Sequence, residues 1–160
     1  MATSTDHSPS PTPDRILVGV DGSPSSRQAL VWARFLARTT GATLEVVTAW
    51  QPFSGASAFG AGWAPLPVEW DPGRDAEKEL TAVVDEVFGA DRPEGLRITA
   101  AQGGAAHVLI ELSRDARMLV VGSRGHGGFV GLLLGSVSAA CAEHAHCPVL
   151  VLHGDTPPPV

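Results

Sequence analysis

Five short apolar runs, each of strand length and each separated from the next by a segment with helical spacing, constrain this chain more than any other feature. The runs are Arg15 to Val20, Thr43 to Ala49, Leu96 to Ala101, Met118 to Val121 and Pro148 to Leu152. Between them lie amphipathic segments. In the first, Ala29, Trp32, Ala33 and Leu36 fall on one face, Ser23 or Ser25 can cap its start, and Gly41 closes it after about Thr39. The second, Arg74 to Phe88, puts Leu80, Val83, Val84 and Val87 on one side. The third, Ala105 to Asp115, turns Val108, Leu109 and Leu112 inward, and Ser136 to His144 forms a short fourth. Apolar strands alternating with helices predict a parallel sheet covered on both faces. Right-handed crossovers then make a single doubly wound α/β domain, with five parallel strands in the order 3-2-1-4-5. In such sheets a ligand sits at the carboxyl ends of the strands, where the strand order reverses.

The 160 residues suit one domain, with a core large enough to need no disulfide or metal. That domain is expected over residues 15–154. Residues 1–14 are expected to be a disordered tail, and 155–160, with three successive prolines, a flexible one. A net charge of -6 argues against a broad polyanion surface, so no nucleic-acid partner is expected. A local anion site needs only backbone amides. Cys141 and Cys147 form no C-x-x-C pair. With no apolar stretch near the amino terminus and no run approaching the ~20 residues of a membrane helix, a cytoplasmic chain with free thiols and no membrane partner is expected. Gln51 to Gly73, rich in proline, glycine and aromatics, reads as a long functional loop.

The strongest chemical signal follows the fourth strand: Gly122-Ser123-Arg124-Gly125-His126-Gly127-Gly128, continuing to Gly135-Ser136-Val137-Ser138. Glycines allow close backbone approach and positive φ. Successive amides can form an anion nest, and a helix start adds unpaired N–H groups and partial positive charge. Ser136 and Ser138 add hydroxyl donors. The segment suits a polyphosphate. The plainer alternative is a turn that only connects a strand to a helix. Its place after the most apolar strand, beside the turn Asp21-Gly22-Ser23-Pro24, favours the ligand.

These residues resemble the universal stress protein family. Its ATP-binding members carry G-x-x-G, nine residues, then G-[S/T]; Gly122, Gly125 and Gly135-Ser136 match at that spacing. Ile16 to Ser23 is similar to the family's first strand and turn, and Cys147 to Leu152 to its closing strand, so the resemblance runs from about Arg15 to His153. It implies ATP as ligand, with Asp21 near the nucleotide and able to hold Mg²⁺, and Ala49 meeting adenine through its backbone. Gly122, Arg124 and Gly125 would surround ribose and phosphates, and Gly135, Ser136, Val137 and Ser138 the phosphates. Gly19 and Val121, in the strands leading into the two turns, complete the candidate set. A homodimer through Pro148 to Leu152 is implied, as an exposed apolar edge also suggests. Gln51 to Gly73 would be a mobile flap beside the adenine crevice.

Other readings fit less well. A dinucleotide-binding dehydrogenase needs G-x-G-x-x-G after the first strand, and a P-loop enzyme needs a lysine that the loop lacks, Lys78 being the only one in the chain. An esterase elbow needs glycine where Val121 stands. His144, His146 and Cys147 lack the paired spacing of a zinc site. His126 reads as loop lining, and Trp50 as a strand-end core aromatic rather than a base-stacking platform. No residue stands out to position water for hydrolysis. The expectation is therefore a stress-response or signalling protein gated by ATP, acting with an unidentified protein partner, with no catalytic residue and with hydrolysis slow or absent. A slow ATPase and a dimeric interaction module without nucleotide stay open as alternatives.

Overall fold

A computed structural model describes residues 14–52, 70–125 and 133–159. The amino-terminal segment, most of Gln51 to Gly73, and His126 to Gly128 lie outside the described residues. Strand β1 (Arg15–Gly19) leads to helix α1 (Pro24–Thr40), then β2 (Thr43–Trp50), α2 (Pro72–Phe88), β3 (Arg97–Gln102), α3 (Ala105–Leu112), β4 (Met118–Gly122), α4 (Ser136–His144) and β5 (Val149–Leu152). The described strands form one parallel sheet in the order β3-β2-β1-β4-β5, as the alternation of runs predicts.

The pleat divides the core into two layers. Ile16, Val18 and Val20 point to α1 and α2, where they meet Leu30, Ala33, Leu80 and Val84. Leu17, Leu119 and Val121 point the other way, against Leu109 and Cys141 on α3 and α4. Because both faces are covered, β1 and β4 read as nearly unbroken apolar runs.

Helix boundaries follow local chemistry. Ser23 caps α1 through its Oγ, which accepts from the Ser26 N–H, and Pro24 occupies the first turn, where its missing N–H is harmless. Gly41 ends the helix in the left-handed region, at φ 69°. The buried face is Ser26, Ala29, Leu30, Ala33 and Ala37, with Trp32 and Leu36 at its flank. The expected face is thus rotated, because small residues let the helix lie close to the sheet. Helix α2 starts two residues before the expected Arg74. Asp71 caps it by accepting from the Arg74 N–H (3.1 Å), so Pro72-Gly73 opens the helix rather than breaking it. The third helix is α-helical only to Leu112 and tightens into a 3-10 turn over Ser113–Asp115.

One buried charge sits at the amino ends of the strands. Glu45, a residue only 5% exposed, accepts through its carboxylate from Arg15 Nη1 at 2.7 Å and Thr99 Oγ1 at 2.8 Å. Arg15 Nη2 also donates to the Leu112 carbonyl. Beyond β5, the chain turns back across α1, where the Thr156 carbonyl accepts from the Trp32 indole N–H at 2.8 Å. No helix among the described residues is long and apolar enough to cross a membrane.

Candidate functional site

Strands β1 and β4 are neighbours, yet the chain leaves them toward opposite faces of the sheet. Their carboxyl ends therefore part and open a cleft of about 370 Å³, within the ~300–1,000 Å³ of small-molecule sites. From β1 and its turn come Gly19 and Asp21; from β2, Ala49; from the end of β4, Val121, Gly122, Arg124 and Gly125; and from the start of α4, Gly135, Ser136, Val137 and Ser138. The sequence-predicted site residues thus line one cleft. Sequence reading missed Val20, Ser26, Val47, Thr48, Ala105 and Leu109, which also line it. Val20, Val47, Ala105 and Leu109 carried only the apolar signal that marks core and cleft floor alike, and Ser26 and Thr48 carried no signal of their own.

Packing within the protein also requires two of these glycines. A Cβ on Gly122 would lie 2.5 Å from Ser25 Oγ and 2.7 Å from the Ser25 carbonyl carbon. The missing side chain lets the first turn of α1 pack on β4; that space belongs to the protein, not to a ligand. A Cβ on Gly125 would lie 2.5 Å from Asp21 Oδ2, so the two turns touch there. Positive φ, expected in this loop, is absent from Gly122, Gly125 and Gly135. It occurs instead at Gly22 (φ 82°), in the turn after β1.

Hydrogen bonds tie the turns together. The Ser25 hydroxyl donates to the Arg124 carbonyl. The Gly135 N–H donates to the Ser123 carbonyl at 2.7 Å, as does the Ser138 hydroxyl at 2.9 Å. Ser138 was expected to donate to a ligand, but its hydroxyl proton is held by backbone carbonyls, Ser123 O or Gly135 O (3.1 Å). Ser136, by contrast, is exposed in the first turn. Asp21 Oδ1 accepts from the Ser23 N–H at 3.0 Å, shaping its own turn.

Two helices lack a side-chain cap. Helices α3 and α4 begin after Gly104 and Gly135, which offer no side-chain acceptor, whereas Ser23 and Asp71 cap α1 and α2. The first-turn amides of α4 thus have no capping side chain where they meet the cleft. On the opposite wall β2 outruns β1. The Val20 N–H donates to the Val47 carbonyl, and the Gly103 N–H to the Trp50 carbonyl. By strand alternation, the N–H and C=O of Ala49 point to the β1 side beyond the last β1 partner, into the cleft. Trp50 does not line the cleft: a Cβ on Gly73 would come within 2.9 Å of its indole, which packs under the start of α2. Among the described residues, no group of three or more His, Cys, Asp or Glu side chains is gathered to hold a metal ion.

Comparison with known proteins bears on the family and the fold. Residues 13–153 match the universal stress protein family. The chain is 34% identical over 147 residues to the universal stress protein Rv2623 of Mycobacterium tuberculosis, covering 88% of this chain and 48% of that protein. The chain thus spans about half the length of the curated relatives it matches. Among solved structures, a universal stress protein in complex with cAMP is 27% identical with a TM-score of 0.64, covering 88% of this chain and 97% of that one. The hypothetical protein MJ0577 shares the fold at 16% identity, with a TM-score of 0.65 over 88% and 96% of the two chains.

Proposed function

The chain belongs to the universal stress protein family, and from that premise we propose that its cleft binds an adenine nucleotide, ATP foremost, to gate a signalling surface. The observation that carries this reading is the start of α4. A helix of nine residues opens onto the cleft after a glycine cap with no side-chain acceptor. Its first-turn amides and the helix dipole favour phosphate oxygens. Across the cleft, the Ala49 peptide offers a donor beside an acceptor, which complement the N1 acceptor and 6-amino donor of adenine. Arg124, with no ion-pair partner among the described residues, would supply a cation at the rim, and Asp21 in the same lining would meet Mg²⁺ carried by the phosphates.

Slow or absent hydrolysis is part of the proposal. Asp21 and Arg124 are the charged groups of the described lining, and fast turnover would need a further group to orient water. Gating would run through these turns: a ligand touching the Ser123–Gly125 turn and α4 would add to the bonds that already tie the turn to α1 and α4. The neighbour solved in complex with cAMP supports a nucleotide ligand for the cleft.

Gly135→Asp tests the reading. A carboxylate at the cap should satisfy the α4 amides and keep the free protein as stable as wild type, or slightly more so. Adenine nucleotide affinity should fall on the order of a hundredfold, the ~3 kcal/mol of a unit charge a few ångströms from a phosphate near a protein surface. Calorimetric titration of ATP, ADP, cAMP and GTP into both proteins measures this. Mass spectrometry of released ligand shows what purified wild-type protein retains. Wild-type protein that binds none of these nucleotides overturns the proposal.

A further inference from the structure

The carboxyl-terminal segment ends Asp155-Thr156-Pro157-Pro158-Pro159-Val160. Three prolines in a row fix φ near −65° and push Thr156 into an extended conformation, so the segment favours a polyproline II strand. Such a strand has no N–H to offer along its prolines and cannot add to a sheet edge. A protein reads it through its carbonyls and its ring faces. Helix α1 presents that reader. Gln28 and Trp32 stand one turn apart on the same face, and both donate to the Thr156 carbonyl: Nε2 at 2.5 Å and the indole Nε1 at 2.8 Å. Phe35 braces the indole edge-to-face, with centroids 6.1 Å apart and planes at 81°. Pro158 is partly buried, while Thr156, Pro157 and Pro159 around it are exposed.

We propose that Gln28 and Trp32 form a docking site for a proline-rich extended strand, and that its resident occupant is the chain's own Thr156–Pro159, held as a strap from the end of β5 across α1. The occupant is committed by what is seated there: a carbonyl shared by two side-chain donors, directly before a segment whose conformation is set in advance. Aromatic-lined grooves recognise proline-rich ligands in this way because little conformational entropy is lost on docking. The strap leaves the cleft open, since neither Gln28 nor Trp32 lines it.

The experiment uses the full chain and follows tryptophan indole N–H signals by nitrogen-correlated NMR, with Trp32→Phe assigning the Trp32 signal. A variant carrying Pro157→Gly, Pro158→Gly and Pro159→Gly should shift the Trp32 indole signal toward that of a solvent-exposed indole and leave the other tryptophans unmoved. A synthetic peptide of residues 154–160 should restore it in that variant, and Gln28→Ala should weaken the restoration. A Trp32 signal identical in wild type and the glycine variant overturns the proposal. So does restoration by a peptide of residues 8–13, also rich in proline, but not by 154–160. A wild-type signal that moves with protein concentration overturns the intramolecular assignment in favour of a strap exchanged between two copies.

Discussion

At the scale of single residues, Gly122 shows how one letter carries two demands. As the first position of a nucleotide-like motif it points to a ligand, but its bare Cα is filled by Ser25 of α1. Gly122→Val should therefore destabilise the ligand-free protein by about 1–3 kcal/mol, as overpacking does. Thermal unfolding without nucleotide tests this, and an unchanged midpoint would return the glycine to the ligand. Gly135 has room for a side chain, its nearest neighbour at 3.5 Å, which is why the functional test belongs there. Motif spacing made Gly122, Gly125, Gly135 and Ser136 legible in the sequence. It could not reveal that Ser138 spends its proton on Ser123, because that bond joins residues brought together only by the fold. Cys141 is fully buried, and burial, with Cys147 nearby, pushes its thiol up to about 11. The folded chain holds this proton more tightly than the unfolded chain, so its contribution to stability is complete below the ordinary value of 9.0 and is lost as pH climbs through 11. Urea unfolding at rising pH should show that loss, and Cys141→Ala should remove its share.

Among the elements, caps decide more than periodicity does. Ser23 and Asp71 each accept from an amide three residues on and fix where α1 and α2 begin. The Pro72-Gly73 pair looks like a breaker in isolation, and only Asp71 in capping position turns it into a start. Gly41 closes α1 at φ 69°, and nothing lies within 4 Å of where its Cβ would be. Gly41→Ala should thus lower stability by about 1 kcal/mol through backbone strain alone. Chemical denaturation should show an unchanged m-value with a lower midpoint; full stability would contradict the left-handed cap. The rotation of α1 that puts Trp32 at the flank was not legible, since periodicity defines a stripe but not which residues of it approach the sheet most closely. That rotation sets Trp32 beside the segment leaving β5.

For the whole molecule, the order of the sheet positions the cleft and leaves an edge. Strand β5 pairs with β4 alone among the described residues. Pro148 and Leu152 turn their carbonyls to β4, so by alternation the Val149 and Val151 amides face outward. We expect this edge to join a second copy, giving about twice 16.6 kDa by light scattering at micromolar concentration. Val151→Pro removes an outward N–H without breaking the β4 ladder, and should yield a monomer that still folds. A wild-type monomer at that concentration would count against the dimer. What the sequence determined by itself was what local physics can write into a chain: strands as apolar runs, helix faces as spacing, turns as glycine and capping residues, and, through motif spacing, the family. What only the tertiary structure decided was which groups meet. The contact of Gly122 with Ser25, the start of α4 on the Ser123–Gly125 turn, the approach of Gly125 to Asp21, and the tail on Trp32 all join distant segments. Such contacts depend on how strands register and how closely helices approach, and no local pattern encodes either.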